Sequence, residues 1–405
     1  MRSPFFILNF TFYVSYFTFH ILCFFYINAM DTKPKNPFLI SGYHSPAYFC
    51  DRVEETKYII SALQSGRNVS LISPRRIGKT GLIHNVFHSL NDQYRNLNCF
   101  YIDIFATQNL LEFTTILGKT VIGQLENKPQ TIIKKISGFF KSFRPLFSFD
   151  AQTGMPTVSL DIKNEQAQNS LLEIFSYLKN SKKTIYIAID EFQQITEYPE
   201  KGVEALLRSH IQFLPNVHFI FSGSKKHLMD AMFSSANRPF YQSTQKINLK
   251  EIDIKLYRKF AQGLFSKYKK KLPAEVFDFI YENLQGHTWY VQLVLNLLFA
   301  LGKTDYSLQD AKDVINRILQ EENATYKTYC ELITKGQLLL LRAIAREQSV
   351  KSPFEQSFMQ KNGLKAVSSV KLALKSLIDK TLILKDENGC FYVYDRFFSI
   401  WLKGD

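Results

Sequence analysis

The sequence predicts an α/β protein: a parallel sheet wrapped by helices, then an all-helical region, then a small module of three helices and a hairpin. Three observations predict it. Short apolar runs alternate with helix-period segments from about residue 52 to residue 222, the pattern of strands joined through crossover helices. From about residue 250 the apolar spacing is helical throughout. Near the end, Glu387-Asn388-Gly389 separates two short apolar runs, a strong hairpin signal.

The elements follow in order. Tyr48-Phe49-Cys50-Asp51-Arg52 leads into a helix through Glu54 and Leu63. Residues 68–72 read as a short buried strand, and a helix runs from Lys79 to Leu90. A second strand is predicted over 98–105 and a helix over 110–125. Residues 126–165 break the alternation and read as an insertion. Within it, 132–143 is basic and partly helical, and 146–149 with 157–162 form a hairpin around Gln152-Thr153-Gly154. Alternation resumes with a helix at 166–179, a strand at 184–189, a helix near 201–213 and a strand at 217–222. Helices are predicted at 257–265, 274–284, 288–301 and 308–322. Those at 335–347, 354–361 and 368–380, with strands at 382–385 and 390–394, give the layout of a winged helix. The expected domains are therefore 37–248, a helical lid at 249–330 and a winged helix at 331–405.

Composition bounds the function. The chain has 405 residues, 46% hydrophobic and 21% charged, enough for two or three domains with a sizeable core. A net charge of +14 favours polyanions: nucleotides, nucleic acid or anionic lipid. The five cysteines make no C-x-x-C pair and are widely spaced, which reads as reduced thiols in a cytoplasmic protein, with neither disulfides nor a zinc site. Residues 1–29 differ from the rest. Pro4 to Asn28 is almost wholly apolar and long enough to span a bilayer. Three readings stand: a membrane anchor holding the remainder in the cytoplasm, translated sequence upstream of a true start at Met30, or a core helix.

The chemistry concentrates after the first strand. Gly78-Lys79-Thr80 closes the pattern G-x-x-x-x-G-K-[ST], with Ser73 where the first glycine is expected. Ser73, Pro74, Arg75, Arg76, Ile77, Gly78, Lys79, Thr80 and Gly81 are the phosphate-binding candidates. Backbone N–H groups at a helix N-terminus solvate phosphate charge. Gly78 permits close approach, Lys79 reaches the β- and γ-phosphates, and Thr80 offers a hydroxyl to Mg²⁺. The second half of the site is Asp190-Glu191, at the end of the strand Ile185-Tyr186-Ile187-Ala188-Ile189. Two carboxylates there call for a cation. Asp190 would act on Mg²⁺ and Glu191 on the attacking water. A third strand ends in Ser222-Gly223-Ser224, where either serine would meet the γ-phosphate unless the turn is only a strand end. Arg238 is the candidate arginine finger, inserted into a neighbouring subunit of a homo-oligomer, with Arg208 as a rival and a solvated loop arginine as the plain alternative.

These residues resemble the AAA+/STAND-type P-loop ATPases common in archaea and in Bacteroides-like bacteria. The resemblance runs over about residues 37–403. It rests on Phe49-Cys50-Asp51-Arg52, the loop at 73–80, Ile189-Asp190-Glu191-Phe192, Phe221-Ser222-Gly223-Ser224, Gln285-Gly286-His287-Thr288-Trp289-Tyr290, and Asp395-Arg396-Phe397-Phe398-Ser399-Ile400-Trp401-Leu402. It implies an AAA+-like P-loop NTPase core, a helical lid and a winged helix. By position, Asp51 and Arg52 belong to a segment that covers the adenine, and His287 to a lid motif that senses nucleotide. Thr288 and Trp289 stand where the family often has proline, and a helix start with a buried aromatic would read the same. The expected cofactors are ATP and Mg²⁺. The expected partners are a further copy of the chain, a protein client that the sequence does not identify, and DNA through the winged helix, with a membrane only if residues 1–29 are expressed. In the helix at 368–380, Ser368, Ser369, Lys371 and Lys375 lie off the apolar face and would meet phosphates. The activity expected is ATP hydrolysis coupled to a conformational switch. The alternative is an ATP-responsive DNA-binding regulator.

Overall fold

A computed structural model describes residues 33–125, 142–149, 156–162, 167–386 and 388–404. The apolar residues 1–29, most of the basic segment 132–143, and the turn at 152–154 lie outside the described residues. Among the described residues, no helix is long and apolar enough to cross a membrane.

Five strands form one parallel sheet in the order β2 (Leu97–Asp103), β5 (Thr184–Asp190), β6 (Val217–Gly223), β1 (Val69–Ile72), β7 (Gln245–Asn248). Side chains alternate across it, as a pleated strand requires. On β5, Ile185, Ile187 and Ile189 face one layer while Tyr186 and Ala188 face the other. The first layer is α3 (Leu110–Leu125), α4 (Ala167–Lys179), α5 (Val203–Ile211) and α6 (Lys226–Ser234). The second is α1 (Val53–Gln64) and α2 (Lys79–Gln93). Both faces are covered, so the inner strands read as continuous apolar runs.

The predicted hairpin is present as β3 (Phe143–Phe149) paired antiparallel with β4 (Pro156–Ile162). It meets the core through Phe143, whose ring lies so close to Gly118 that a Cβ there would stand 2.7 Å from it. Strand β7 was not predicted. It is four residues long, at the sheet edge, and Ile247 is its one buried residue. Strand β2 stops at Asp103, short of the predicted end, because Phe105 turns out to solvent.

The helical region comprises α7 (Ile254–Lys267), α8 (Ala274–Asn283), α9 (Thr288–Ala300) and α10 (Leu308–Glu321). Local signals set its starts. Asp253 accepts the Lys255 and Leu256 amides at 2.9 and 3.2 Å, and Ser307 with Asp310 forms a capping box. The last module is α11 (Asn323–Glu331), α12 (Lys335–Glu347), α13 (Gln356–Lys361), α14 (Val367–Asp379), the antiparallel pair β8 (Ile383–Lys385) and β9 (Phe391–Val393), and α15 (Arg396–Gly404). Helices α11 and α15 add to the predicted three. One continuous apolar cluster joins α7–α10 to this module and takes in Phe38 from upstream of the sheet. Phe38 packs on Phe265 and Phe299 at ring separations of 5.1 and 6.0 Å.

Beneath the C-terminal edge of the sheet, Phe192, Phe221, Phe233 and Phe240 interlock at centroid distances of 4.4 to 6.1 Å. This cluster supports the turn that follows Asp190. Phe221→Ala should therefore cost about 3–5 kcal/mol in urea unfolding, and a loss below about 1 kcal/mol would contradict the packing described.

Candidate active site

All five strands run the same way, so their C-terminal ends share one edge, where open α/β sheets place ligands. The loop leaving β1 turns through two left-handed residues, Arg76 at φ +67° and Gly78 at φ +105°. No atom lies within 4 Å of a Cβ built on Gly78, so glycine is required there for its backbone angle. Ser73 keeps an ordinary backbone, and so serine can stand in the first-glycine position without strain. Gly81 is needed for space instead: a Cβ would come 3.1 Å from the Phe49 ring.

Lys79 is 6% exposed, and its ammonium donates to the Ser73 and Pro74 carbonyls at 3.0 and 3.1 Å. Burial lowers its pKa, while the charges of Asp190 and Glu191 oppose that shift. Thr80 Oγ1 donates to Asp190 Oδ2 at 2.8 Å, across the gap between the loop and β5. Tyr101, on neighbouring β2, donates to the same oxygen at 2.8 Å. Burial and then the Asp190 charge hold the Tyr101 hydroxyl well above its ordinary pKa, so it is a donor. The other carboxylate oxygen accepts the Glu191 amide at 3.0 Å. Hard oxygens of Thr80 and Asp190, side by side, suit Mg²⁺, which takes one or two protein oxygens and completes its shell with water and phosphate.

Glu191 adopts φ +55°, and its Oε2 accepts Gln193 Nε2 at 2.5 Å and Ser224 Oγ at 2.6 Å. Of the two serines ending β6, Ser224 meets the acidic pair. Ser222 is wholly buried, with no hydrogen-bond partner for its Oγ among the described groups. Gly223 leaves room for this arrangement, since a Cβ would fall 2.4 Å from Gln193 Oε1.

Arg75 to Gly81, Asp190 and Glu191 line one cleft of about 330 Å³, while Tyr101, Gln193 and Ser224 support the acidic pair from behind it. Its other walls come from the chain before α1, including Tyr43, Phe49 and Arg52, and from the helical region, including Phe260, Trp289 and Gln292. Tyr43 is fixed by a 3.0 Å hydrogen bond to Asn85 Oδ1 and by stacking on His84. Arg52 is buried and ties Glu55, at 3.0 Å, to the Lys250 carbonyl, at 2.5 Å.

Six predicted residues lie outside the cleft lining: Ser73 and Pro74, whose carbonyls hold the Lys79 ammonium, and Asp51, His287, Arg238 and Ser222. His287 is 3% exposed. Its Nδ1 finds no hydrogen-bond partner among the described groups, and burial, reinforced by Arg396 and Arg76, lowers its pKa to about 3. Arg238 is engaged within its own chain, donating through Nε to Glu204 Oε2 at 3.1 Å and through a second nitrogen to Glu204 Oε1. Ser222 lies below the site, as above. Arg75 and Arg76 do line the cleft, but their guanidinium groups stack on Phe105 and Trp289 at 4.9 and 4.1 Å. Sequence reasoning missed Tyr101 and Gln193. Gln193 follows the acidic pair by two positions, which was its one available signal.

Comparison with known proteins identifies the family and the fold. The profile of a family described as an ATPase domain predominantly from Archaea matches residues 49–294, more than half of the chain. A probable winged helix domain matches residues 324–404. No curated protein matches the chain by sequence. Among solved structures, a Walker-type ATPase of Pyrococcus abyssi superposes with a TM-score of 0.61 at 18% identity, over 91% of this chain and 99% of that one. The ORC2 protein of Aeropyrum pernix gives 0.56 at 15% identity, over 91% and 97%. The ORC1 protein of the same organism gives 0.51 at 10% identity, over 92% and 97%. The chain belongs to the family of ATPase domains found predominantly in Archaea, and it carries a C-terminal winged helix domain.

Proposed function

We propose that the chain binds ATP with Mg²⁺ in this cleft, hydrolyses it, and couples the nucleotide state to the seating of the helical lid. The carrying observation is the 2.8 Å contact between Thr80 and Asp190, which sets the phosphate loop against the acidic strand end. The amides of the loop and of the first turn of α2 hold the phosphates. Lys79 exchanges the Ser73 and Pro74 carbonyls for phosphate oxygens. Thr80 and Asp190 would hold the Mg²⁺, which would supply neutralisation of the phosphate charge. Glu191, oriented by Gln193 and Ser224, positions water and accepts its proton. Trp289 and Gln292 bring the lid to the same cleft, so an occupant touches both the sheet and the lid.

Lys79→Ala should weaken ATP binding about 10–100-fold, as loss of a charged hydrogen bond implies, read by titration calorimetry. Glu191→Gln should bind ATP within about twofold of the parent yet turn over about 10²–10⁴ times more slowly. Normal phosphate release by Glu191→Gln would remove its assigned role. Chelation of Mg²⁺ should stop turnover in the parent.

A second reading has one observation in its favour. On α14, Val370, Leu374 and Leu377 are buried while Ser368, Ser369, Lys371 and Lys375 are exposed, together with the apolar Val367, Leu372 and Ile378, leaving a mixed face that carries two lysines. The Aeropyrum ORC1 structure is a complex with DNA. A duplex-binding role for α14 predicts that Lys371→Ala with Lys375→Ala lowers the slope of log affinity against log salt by about two. Failure of the parent to stay on duplex DNA at low salt with ATP present would exclude this reading.

A further inference from the structure

The Asp190 carboxylate is held by three donors from three parts of the chain. Its Oδ2 accepts the Thr80 and Tyr101 hydroxyls, each at 2.8 Å, and its Oδ1 accepts the Glu191 amide at 3.0 Å. An ionised carboxylate offers about four acceptor sites, so one remains, on Oδ1. The donors differ in what else is asked of them. Thr80 also faces the metal position, and the Glu191 amide belongs to the turn that carries the second carboxylate. Tyr101 lies outside the cleft lining and has neither task.

The fold confines Tyr101 to this contact. It lies on β2 opposite Ala188 of β5, two positions before the paired strand ends Asp103 and Asp190. Its side chain therefore shares the sheet face of Tyr186 and Ala188, the face that α2 covers. There its ring meets His84 at 4.8 Å, one helical turn beyond Thr80. His84 is backed by Tyr43, whose ring stacks on it at 6.0 Å. The phenol cannot swing away from Asp190 without displacing both rings. A partly buried phenol needs an acceptor, and a backbone carbonyl would serve. Donation to a metal-holding carboxylate does more. It fixes the plane of the carboxylate, and groups that hydrogen-bond a metal ligand from behind set metal affinity.

We propose that Tyr101 is a positioning residue for the metal: its hydroxyl fixes the Asp190 carboxylate beside Thr80 and so sets the affinity for the Mg²⁺ that accompanies ATP. This rests on the reading of the cleft as a site for ATP with Mg²⁺.

The test uses the full chain and the β,γ-imido analogue of ATP, titrated by calorimetry at a series of free Mg²⁺ concentrations. Tyr101→Phe keeps the ring and removes only the hydroxyl. In excess chelator it should bind the analogue within about twofold of the parent, yet the free Mg²⁺ needed for half of the metal-dependent gain in affinity should rise about tenfold. Half-maximal turnover should need about tenfold more Mg²⁺ as well, with kcat at saturating metal within about threefold of the parent. Tyr186→Phe, on the same sheet face, should leave the metal dependence unchanged. A role confined to packing would shift affinity equally with and without metal, and that result, or a matching shift in Tyr186→Phe, would overturn the proposal. So would a lower Mg²⁺ midpoint in Tyr101→Phe, which would make the hydroxyl a competitor of the metal. If the parent responds to Mg²⁺ and Tyr101→Phe matches it, Tyr101 alone loses its role; a parent that binds no nucleotide sinks the cleft reading with it.

Discussion

A lysine ammonium withdrawn from water needs compensation, and the architecture around Lys79 supplies it from separate pieces of chain. Two carbonyls of its own loop accept its hydrogen bonds, and two carboxylates at the end of β5 supply the opposing charge. Those carboxylates reach it only because the strands are parallel and end together. Strand β6, lying between β1 and β5, brings Ser224 to Glu191 and Gly223 to the edge of the loop, where its carbonyl accepts the Ser73 amide at 3.3 Å. The order of strands and the electrostatics of the cleft are two descriptions of one requirement.

Helix α9 joins the sheet domain to the remaining structure. Its inner face, Val291, Val294, Leu295 and Leu298, belongs to the core shared by the helical region and the C-terminal module. Its first turn, Trp289 and Tyr290, rests on Arg76. One helix thus touches both the phosphate loop and the core shared by the two helical units.

Much of this was legible in the sequence where burial is two-sided or chemistry dictates residue type. Strands β1, β5 and β6 are continuous apolar runs, and Gly78-Lys79-Thr80 and Asp190-Glu191 have few other uses. Edge strand β7 was not legible, because one buried residue in four carries no period. Tyr101 was not legible because its partner is 89 positions away, and Arg76 because Tyr290 is 214 positions away. Arg238 reads as a free cation in sequence; the fold sets Glu204, 34 positions earlier, against it. Long-range pairing of polar side chains leaves no local pattern, whereas an apolar face must repeat along its own helix or strand.

The stretch before α1 has a mechanical consequence. Asn36 donates to the Asn296 carbonyl at 2.9 Å, Asn296 donates back to the Phe38 carbonyl at 2.6 Å, and Phe38 is sunk between Phe265 and Phe299. The chain is thus stitched to α9 before it passes along the cleft and enters the sheet domain. Tension applied upstream of Asn36 therefore meets α9 before it meets the strands.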